Sequence, residues 1–511
     1  MKKDFTKNYL NIYLWRFLFL ISSFLSFLLV IPSISKDVEL FGIYSFCLSF
    51  SIYLSYSDIG FLNAGWKYAS KALFENDYDF EAEILGFIFF VLILMCIPFT
   101  IGMFIAYLNP AILLNNINVE LKNIASGLFL IMTIFLPLQV IFQRFVQSIL
   151  VTRIKDYIFL RIDVLFNFIK ILSVFYFFNE ERSLFVQYYF FITLVSILSS
   201  IVVLIYIIKN EKFNFHRFFS HLKFSKSHYD ITKKLAFSSL FATIAWIVYY
   251  ELDLIIIGSF FDSYSIGVYA VAFTFLGFLK NLWSIVFSPY SQRFNHFSSE
   301  KNVDKLKILA RNLISYTFPL MIIVSTILVI FAKKLTLLWV GSSYIDSVDL
   351  IIVLIISSSF GFITQPASFY YTSKNKYNYI YITSGILPLI FITSLYFLIP
   401  KYGILGVALS KALAMFVCFL ISLKALSKLV NLSMILKKWF LQLLIFLFII
   451  ISFLPSLSEL IFYEDKKNTL DLSLLCLLMM GLVSFSYLLI ILSNKKSRIY
   501  ITNNYTKIFN K

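Results

Sequence analysis

Charged side chains inside long apolar runs are the residues of this sequence that are best placed to do chemistry. An ionisable group at the centre of a bilayer costs at least ~2.5 kcal/mol on insertion scales, so its presence indicates substrate binding, ion coupling or an internal ion pair. We expect the basic residues to bind an anionic substrate and the acidic residues to bind a coupling proton or cation. The basic candidates are Lys170, Lys280, Lys411, Arg16, Arg144 and Arg161, and the acidic candidates are Asp253, Glu251, Asp58 and Asp163.

The depth of each charge within its run separates these candidates. Near the ends of runs, snorkelling to the interface or an internal ion pair explains a charge as well as function does. This alternative applies to Arg144, Arg161 and Asp58. A functional role is the stronger explanation for the three charges near the middle of their runs, Lys170, Lys280 and Lys411.

Glu251 and Asp253 are only two positions apart. A straight helix turns such neighbours about 200° away from one another. We therefore expect one of them to bind a coupling ion in a cavity and the other to face a different partner, without forming one paired-carboxylate site.

Uncharged polar residues extend the pattern along helix faces, because positions i, i+4 and i+7 share a face. Asp163, Asn167 and Lys170 form one such stripe. Two further stripes are Gln139, Gln143 and Gln147, and Gly277, Lys280, Asn281 and Ser284. The stripes predict a wet central cavity with a basic lining, in which Gln139, Gln143, Asn167 and Asn281 are polar wall residues. The alternative is hydrogen bonding between helices, which also uses Gln, Asn and Ser.

Repeated apolar runs must supply the helices that hold these side chains. The 511 residues are 60% hydrophobic and 14% charged, against roughly 45–50% and about 25% in soluble domains. Runs of about 20 residues match the hydrocarbon thickness of a bilayer. We predict an all-α polytopic membrane protein with about fourteen transmembrane helices, at residues 9–31, 40–62, 84–108, 124–149, 158–178, 185–208, 235–260, 266–290, 313–331, 350–371, 379–399, 404–426, 440–462 and 470–492.

The distribution of the 44 Lys and Arg residues predicts the orientation. Basic residues accumulate in cytoplasmic loops, and most of them fall on one side if both termini are cytoplasmic. The densest block is residues 209–234, which we interpret as a topology signal beside anionic lipid and not as a nucleic-acid site.

A short motif recurs in the two halves of the sequence. Residues 42–46 (Gly-Ile-Tyr-Ser-Phe) reappear as 267–271 (Gly-Val-Tyr-Ala-Val), and Gln143 and Gln365 are separated by a similar offset. We predict two six-helix bundles related by a parallel repeat, because six spans return the chain to the same side. The predicted domains are 1–208, a basic cytoplasmic linker 209–234, 235–427, and two extra helices with a tail in 428–511.

Several chemistries lack a sequence signature. There is no G-x-x-x-x-G-K-[ST] phosphate loop, and the four cysteines show no spacing typical of a metal site or a disulfide framework. We therefore predict no cofactor, no metal and no direct ATP coupling. A membrane-embedded glycosyltransferase or polysaccharide polymerase is the enzymatic alternative, but its site generally needs larger external loops than this sequence offers.

Three motifs resemble the multidrug/oligosaccharidyl-lipid/polysaccharide (MOP) exporter superfamily, and within it the Wzx-type O-antigen and capsule flippases. The first is 251–258 (Glu-Leu-Asp-Leu-Ile-Ile-Ile-Gly), followed by 267–271 and by Ser288-Pro289. The second is 402–408 (Tyr-Gly-Ile-Leu-Gly-Val-Ala), and the third is 58–60 (Asp-Ile-Gly). The resemblance implies two six-helix bundles in a V that alternate between two open states, and it places Asp253, but not Glu251, at the family's acidic position.

Combined with the basic cavity, the resemblance implies transport and not catalysis. The expected function is that of an inner-membrane flippase for an undecaprenyl-diphosphate-linked oligosaccharide, with proton or sodium coupling and a polysaccharide polymerase and chain-length proteins as partners. A cation-coupled multidrug exporter is the alternative within the superfamily, although a more acidic cavity would be expected for cationic drugs.

Overall fold

The computed structural model describes residues 2–55, 60–114, 118–179, 184–299, 303–374, 378–427 and 469–493. Almost all of these residues are helical, and no strand is present within the described ranges. The prediction of an all-α polytopic membrane protein is confirmed. In these ranges, nine helices are long and apolar enough to cross a membrane, and a further pair joined at a bend would make ten.

The helices follow one another through short connections. In chain order they are α1 Lys2–Ile34, α2 Val38–Ser55, α3 Phe61–Phe74, α4 Tyr78–Leu108, α5 Val119–Thr152, α6 Asp156–Phe177, α7 Phe185–Asn210, α8 Phe215–Ser220, α9 Lys226–Tyr250, α10 Asp253–Phe260, α11 Ser263–Ser299, α12 Val303–Trp339, α13 Ser347–Ser359, α14 Gly361–Ser373, α15 Asn378–Tyr402, α16 Ile404–Ser427 and α17 Thr469–Ser493.

Each predicted span falls on these helices, apart from residues 440–462, which lie outside the described part of the chain, and the end of span 40–62, where α2 is described to Ser55 and α3 begins at Phe61. Two other spans are each divided between two helices. Residues 235–260 form α9 and α10, which meet at a bend of 48°. Residues 350–371 are divided between α13 and α14 at Phe360.

Two compact units are present, residues 1–270 and residues 271–511. In the first, α4 packs on α5, α5 on α7, α1 on α6, and α3 on α9. In the second, α15 packs on α16, α13 on α16, and the C-terminal α17 on α12. The first unit includes α9 and α10, so it extends beyond the predicted bundle 1–208. These two units do not test the predicted division into two duplicated bundles, which stays a prediction.

The basic segment 209–234 is folded against the end of α4. A Cβ at Gly86 would lie 2.6 Å from the carbonyl oxygen of Phe218, so glycine allows α8 to approach α4 this closely. The Phe218 ring packs against Phe89 with centroids 5.8 Å apart, and Arg217 Nε donates to a Glu83 carboxylate oxygen at 2.6 Å. The segment is therefore a docked part of the unit 1–270. We call this end of the helices the basic end.

The repeated glycine-tyrosine motif lies in helices that begin in the same way. Asp37 Oδ1 accepts from the Leu40 amide at 3.0 Å at the start of α2. Asp262 Oδ1 accepts from the Ser265 amide at 3.0 Å at the start of α11. Such caps satisfy amides that have no partner within the helix. The offset from Asp37 to Asp262 equals the offset between the two glycines of the motif, so the similarity extends upstream of the motif.

Candidate functional site

The acidic candidates Glu251 and Asp253 lie at the break between α9 and α10. Glu251 ends α9, and Asp253 is the first residue of α10. Both are buried, with exposures of 6% and 0%. The partial positive charge of a helix N-terminus favours a carboxylate in the first turn. The break therefore places two carboxylates inside the protein where one of them is stabilised by backbone dipoles.

Two tyrosines surround this acidic site. The Tyr269 hydroxyl, from α11, donates to Asp253 Oδ2 at 2.7 Å. Tyr53, from α2, lies within electrostatic reach of both Asp253 and Glu251. Its buried hydroxyl makes no hydrogen bond within the described residues. Because the helix bends at this point, the straight-helix premise for separating Glu251 from Asp253 is wrong, and both carboxylates share Tyr53 as a neighbour. Carboxylate and phenol oxygens together can hold a proton or a small hard cation.

The two mid-run lysines of the unit 271–511 converge on one aromatic ring. Lys280 Nζ, on α11, and Lys411 Nζ, on α16, each lie 5.7 Å from the centroid of Phe273. Lys411 also lies 5.9 Å from the centroid of Phe391 and is 1% exposed. An ammonium group is attracted to the face of an aromatic ring. Both ammonium groups therefore lie beside the Phe273 ring.

The polar stripe on α6 faces α1. The Asn167 amide donates to the hydroxyl of Ser22, which is fully buried. Asp163 and Lys170 are partly buried on the same stripe and attract one another electrostatically. For this stripe the contacts favour hydrogen bonding between helices and an internal ion pair. A cavity wall is the alternative that they support less well.

The three arginine candidates each meet a local partner. Arg16 Nη2 lies 3.5 Å from Asp156 Oδ2, and the Arg161 guanidinium lies 5.8 Å from the centroid of Trp15. Arg144 Nη1 donates to Gln147 Oε1 at 3.2 Å, which is a contact within the glutamine stripe of α5.

The remaining candidates have less defined surroundings. On α5, Gln139 and Gln143 are partly buried, and on α11, Asn281 is exposed. Asp58 lies outside the described residues. No group of three His, Cys, Asp or Glu side chains that could hold a metal ion occurs in the described part of the chain.

A buried ion-pair network at the basic end was missed by the sequence analysis. Arg153 forms a bidentate pair with Glu81, at 2.5 and 3.0 Å, and lies 3.6 Å from Glu211. Lys155 Nζ lies 2.7 Å from the other oxygen of Glu211. The side chains of Glu81 and Arg153 are 0% and 6% exposed. Two acids and two bases balance in charge, and they join the start of α4 to the ends of α5 and α7.

Comparison with known proteins gives matches by structure. No family model and no curated protein matches the sequence. The structure is similar to the lipid II flippase MurJ in an inward closed conformation, with a TM-score of 0.66 and 17% identity, covering 97% of this chain and 100% of that chain.

Similarity extends to multidrug resistance transporters. An inward-facing MATE family transporter of the MOP superfamily matches with a TM-score of 0.62 and 13% identity, over 81% of this chain and 95% of that one. A eukaryotic MATE transporter matches with a TM-score of 0.52 and 14% identity, over 79% and 95%. At these identities the likeness establishes the fold alone: this chain shares its fold with MurJ and the MATE transporters.

Proposed function

We propose that this protein is a flippase that moves an undecaprenyl-diphosphate-linked oligosaccharide, an O-antigen or capsule repeat unit, across the bacterial inner membrane by alternating access. The observation that carries the proposal is the convergence of Lys280 and Lys411 on Phe273. The MOP-type fold supports it, because the structurally similar MurJ is a lipid II flippase. That likeness spans 97% of the chain, whereas the likeness to the inward-facing MATE transporter spans 81%.

The lysine pair suits a diphosphate. A diphosphate carries several negative charges within a few ångströms, and ammonium groups bind phosphate oxygens as mobile point charges. Lys411 lies under Phe273 and Phe391 in this state, so movement of these rings would present its charge to the head group. The isoprenoid tail would stay in the bilayer, since only the head group needs a polar path.

The acidic site supplies the coupling element of the proposal. Asp253 and Glu251 are buried at a helix break, and broken helices are a common location for ion sites in transporters. A proton or sodium ion bound there would neutralise buried carboxylates. The energy of the ion gradient could then favour one state of the cycle over the other.

Two rival functions make different demands on these residues. A multidrug exporter for cationic compounds would be repelled by the lysine pair. A membrane-embedded glycosyltransferase or polymerase would need a catalytic constellation, and the fold is shared with transporters. The proposed orientation, with both termini cytoplasmic, rests on the distribution of Lys and Arg.

Following radiolabelled lipid-linked oligosaccharide after depletion of the protein would separate these functions. A flippase defect leaves completed single repeat units in the cytoplasmic leaflet. A polymerase defect leaves repeat units displayed outside but not joined. Accumulation of displayed, unjoined units would contradict the proposal.

The lysine pair can be tested in the same assay. Lys280→Ala and Lys411→Ala should each reduce export by about tenfold or more, because each removes a charge-assisted contact worth roughly 1.5–3 kcal/mol. Lys424→Ala is the matched control, since Lys424 is exposed at the end of the same helix α16. Normal export by both pair variants, at normal abundance in the membrane, would remove the diphosphate role.

A further inference from the structure

One face of α2 covers the acidic site. Tyr53 lies within electrostatic reach of Asp253 and Glu251. About two turns along α2, Phe46 packs on α10, where a Cβ added at Gly258 would lie 2.5 Å from the Phe46 ring. Positions i, i+4, i+7 and i+11 share a helix face. The face consists of Gly42, Phe46, Ser49 and Tyr53.

At the start of α2, far from the basic end, Gly42 on this face contacts Gly267 of α11. A Cβ at Gly42 would overlap the carbonyl oxygen of Ser263 and lie 2.7 Å from the amide nitrogen of Gly267. A Cβ at Gly267 would overlap the carbonyl oxygen of Val38. The obstructing atoms are backbone atoms at the first turns of α2 and α11, so they cannot move aside as a flexible side chain can.

This glycine contact is reciprocal. The offset between Val38 and Ser263 equals the offset between Gly42 and Gly267. Gly42 meets the carbonyl of Ser263, four residues before Gly267. Gly267 meets the carbonyl of Val38, four residues before Gly42. Such an arrangement is what a twofold axis produces when it passes between two copies of one patch. In the predicted parallel repeat, this axis is also where the transport pathway runs.

We propose that the contact between Gly42 and Gly267 is the external closure of the pathway, and that the Gly42-to-Tyr53 face of α2 seals Asp253 from the periplasm until this contact separates. The inference rests on the proposed function, since it assigns a gate to the same transporter. Phe46 and Ser49, which follow Gly42 on the face, are buried at 0% and 2% exposure. Separation of the two backbones opens a path along these residues to the carboxylate.

Glycines suit a contact that must separate and re-form. Backbone atoms form most of the contact at the two glycines, so few interlocked side chains must separate there, and small residues let helices in membranes approach this closely. The hydrogen bond from Tyr269 to Asp253 starts only two residues from Gly267. A change of charge at Asp253 therefore acts directly on the first turns of α11, which form one side of the closure.

Cysteine accessibility in a background lacking the four native cysteines tests the proposal. Ser49→Cys would report external access, with a membrane-impermeant maleimide added from outside. We expect little labelling in the parent. In Gly42→Ala and in Gly267→Ala, labelling should rise by about tenfold or more, because the closed packing is blocked and the population shifts to the open state.

Gly277→Ala is the matched control, because a Cβ at this position of α11 meets no atom within 4 Å. It should label like the parent. Unchanged labelling in both gate variants, at normal membrane abundance, would overturn the proposal. The readout requires no transported substrate, so failure of the flippase assay and failure of the gate are distinguishable.

A second measurement leaves the glycines intact, in case a gate variant does not fold. Spin labels at Lys36→Cys and Phe260→Cys, both exposed near the closure, should give a short distance and a longer one. Their proportions should change when sodium or pH is changed. A single short distance with and without sodium, at acidic and at alkaline pH, would overturn the proposal.

Discussion

Removal of Arg153 should destabilise the protein far more than removal of an exposed charge. Arg153→Met deletes both hydrogen bonds to Glu81, the attraction to Glu211 and a hydrogen bond of 2.6 Å to the Lys212 carbonyl. The methionine fills similar volume but leaves the Glu81 carboxylate, whose side chain is 0% exposed, without its guanidinium. Breaking a buried pair by removing one partner costs about 3–5 kcal/mol, and we expect a loss in that range.

The assay is the free energy of unfolding in mixed detergent micelles, measured for a double-mutant cycle. Glu81→Leu combined with Arg153→Met removes both charges and keeps the 2.7 Å pair between Lys155 and Glu211. Since an apolar replacement of a buried pair is often nearly neutral, the double variant should be more stable than Arg153→Met alone.

An exposed pair provides the control for this cycle. Lys71 and Glu75 lie 3.9 Å apart with side chains 71% and 59% exposed. Lys71→Met should cost less than about 1 kcal/mol. Equal losses for Lys71→Met and Arg153→Met, or a double variant as unstable as Arg153→Met, would refute the reasoning from burial.

Three further outcomes follow from other contacts. Asn167→Leu breaks the hydrogen bond to Ser22 and should lower the free energy of unfolding by about 0.6–2 kcal/mol, while export continues if the stripe is structural. Burial lowers the pKa of His228 below its usual 6.5, so folding favours the neutral ring; its contribution to stability is present above pH ~6.5 and is lost as pH falls. His228→Phe should flatten that acid-side loss in an unfolding series against pH. Gly86→Ala should displace α8 and increase proteolysis of the basic segment, whereas Gly102→Ala, whose Cβ meets no atom within 4 Å, should not.

The fold class was predictable because hydropathy is a one-dimensional signal. A bilayer requires apolar runs of a set length and backbone groups satisfied within each run, so the spans could be placed without tertiary information. The bend at Glu251 was not predictable in this way. Residues 247–253 contain no proline or glycine that would indicate a bend. The two carboxylates, which the structure buries at the bend, are its only trace in the sequence.

Some features of the site can be recognised from the local sequence, whereas others depend on contacts between distant residues. Lys280 and Lys411 were recognised as costly charges, but their approach to Phe273 depends on how α16 packs near α11. Arg153 and Glu81 lie just outside the predicted spans 124–149 and 84–108, so the argument from charges inside apolar runs did not reach them. Their pairing joins positions far apart in the sequence, which no local pattern reports.

The aspartate caps were a readable signal that was overlooked. Asp37 and Asp262 precede the two glycines by the same number of residues. The carboxylate of each accepts a hydrogen bond from the amide three residues further along the chain. Including the caps would have lengthened the repeated motif and made the pairing of α2 with α11 easier to infer.

The reciprocity at Gly42 and Gly267 also constrains how this sequence can change. Most positions have their own neighbours, so a substitution is tolerated or rejected on its own account. At Gly42 and Gly267, each position is the other's neighbour in an equivalent contact. A larger side chain at either position therefore separates the same two backbones. The two alanine variants together should therefore cost little more than one alone, which makes positions 42 and 267 a single mutational target recorded twice in the chain.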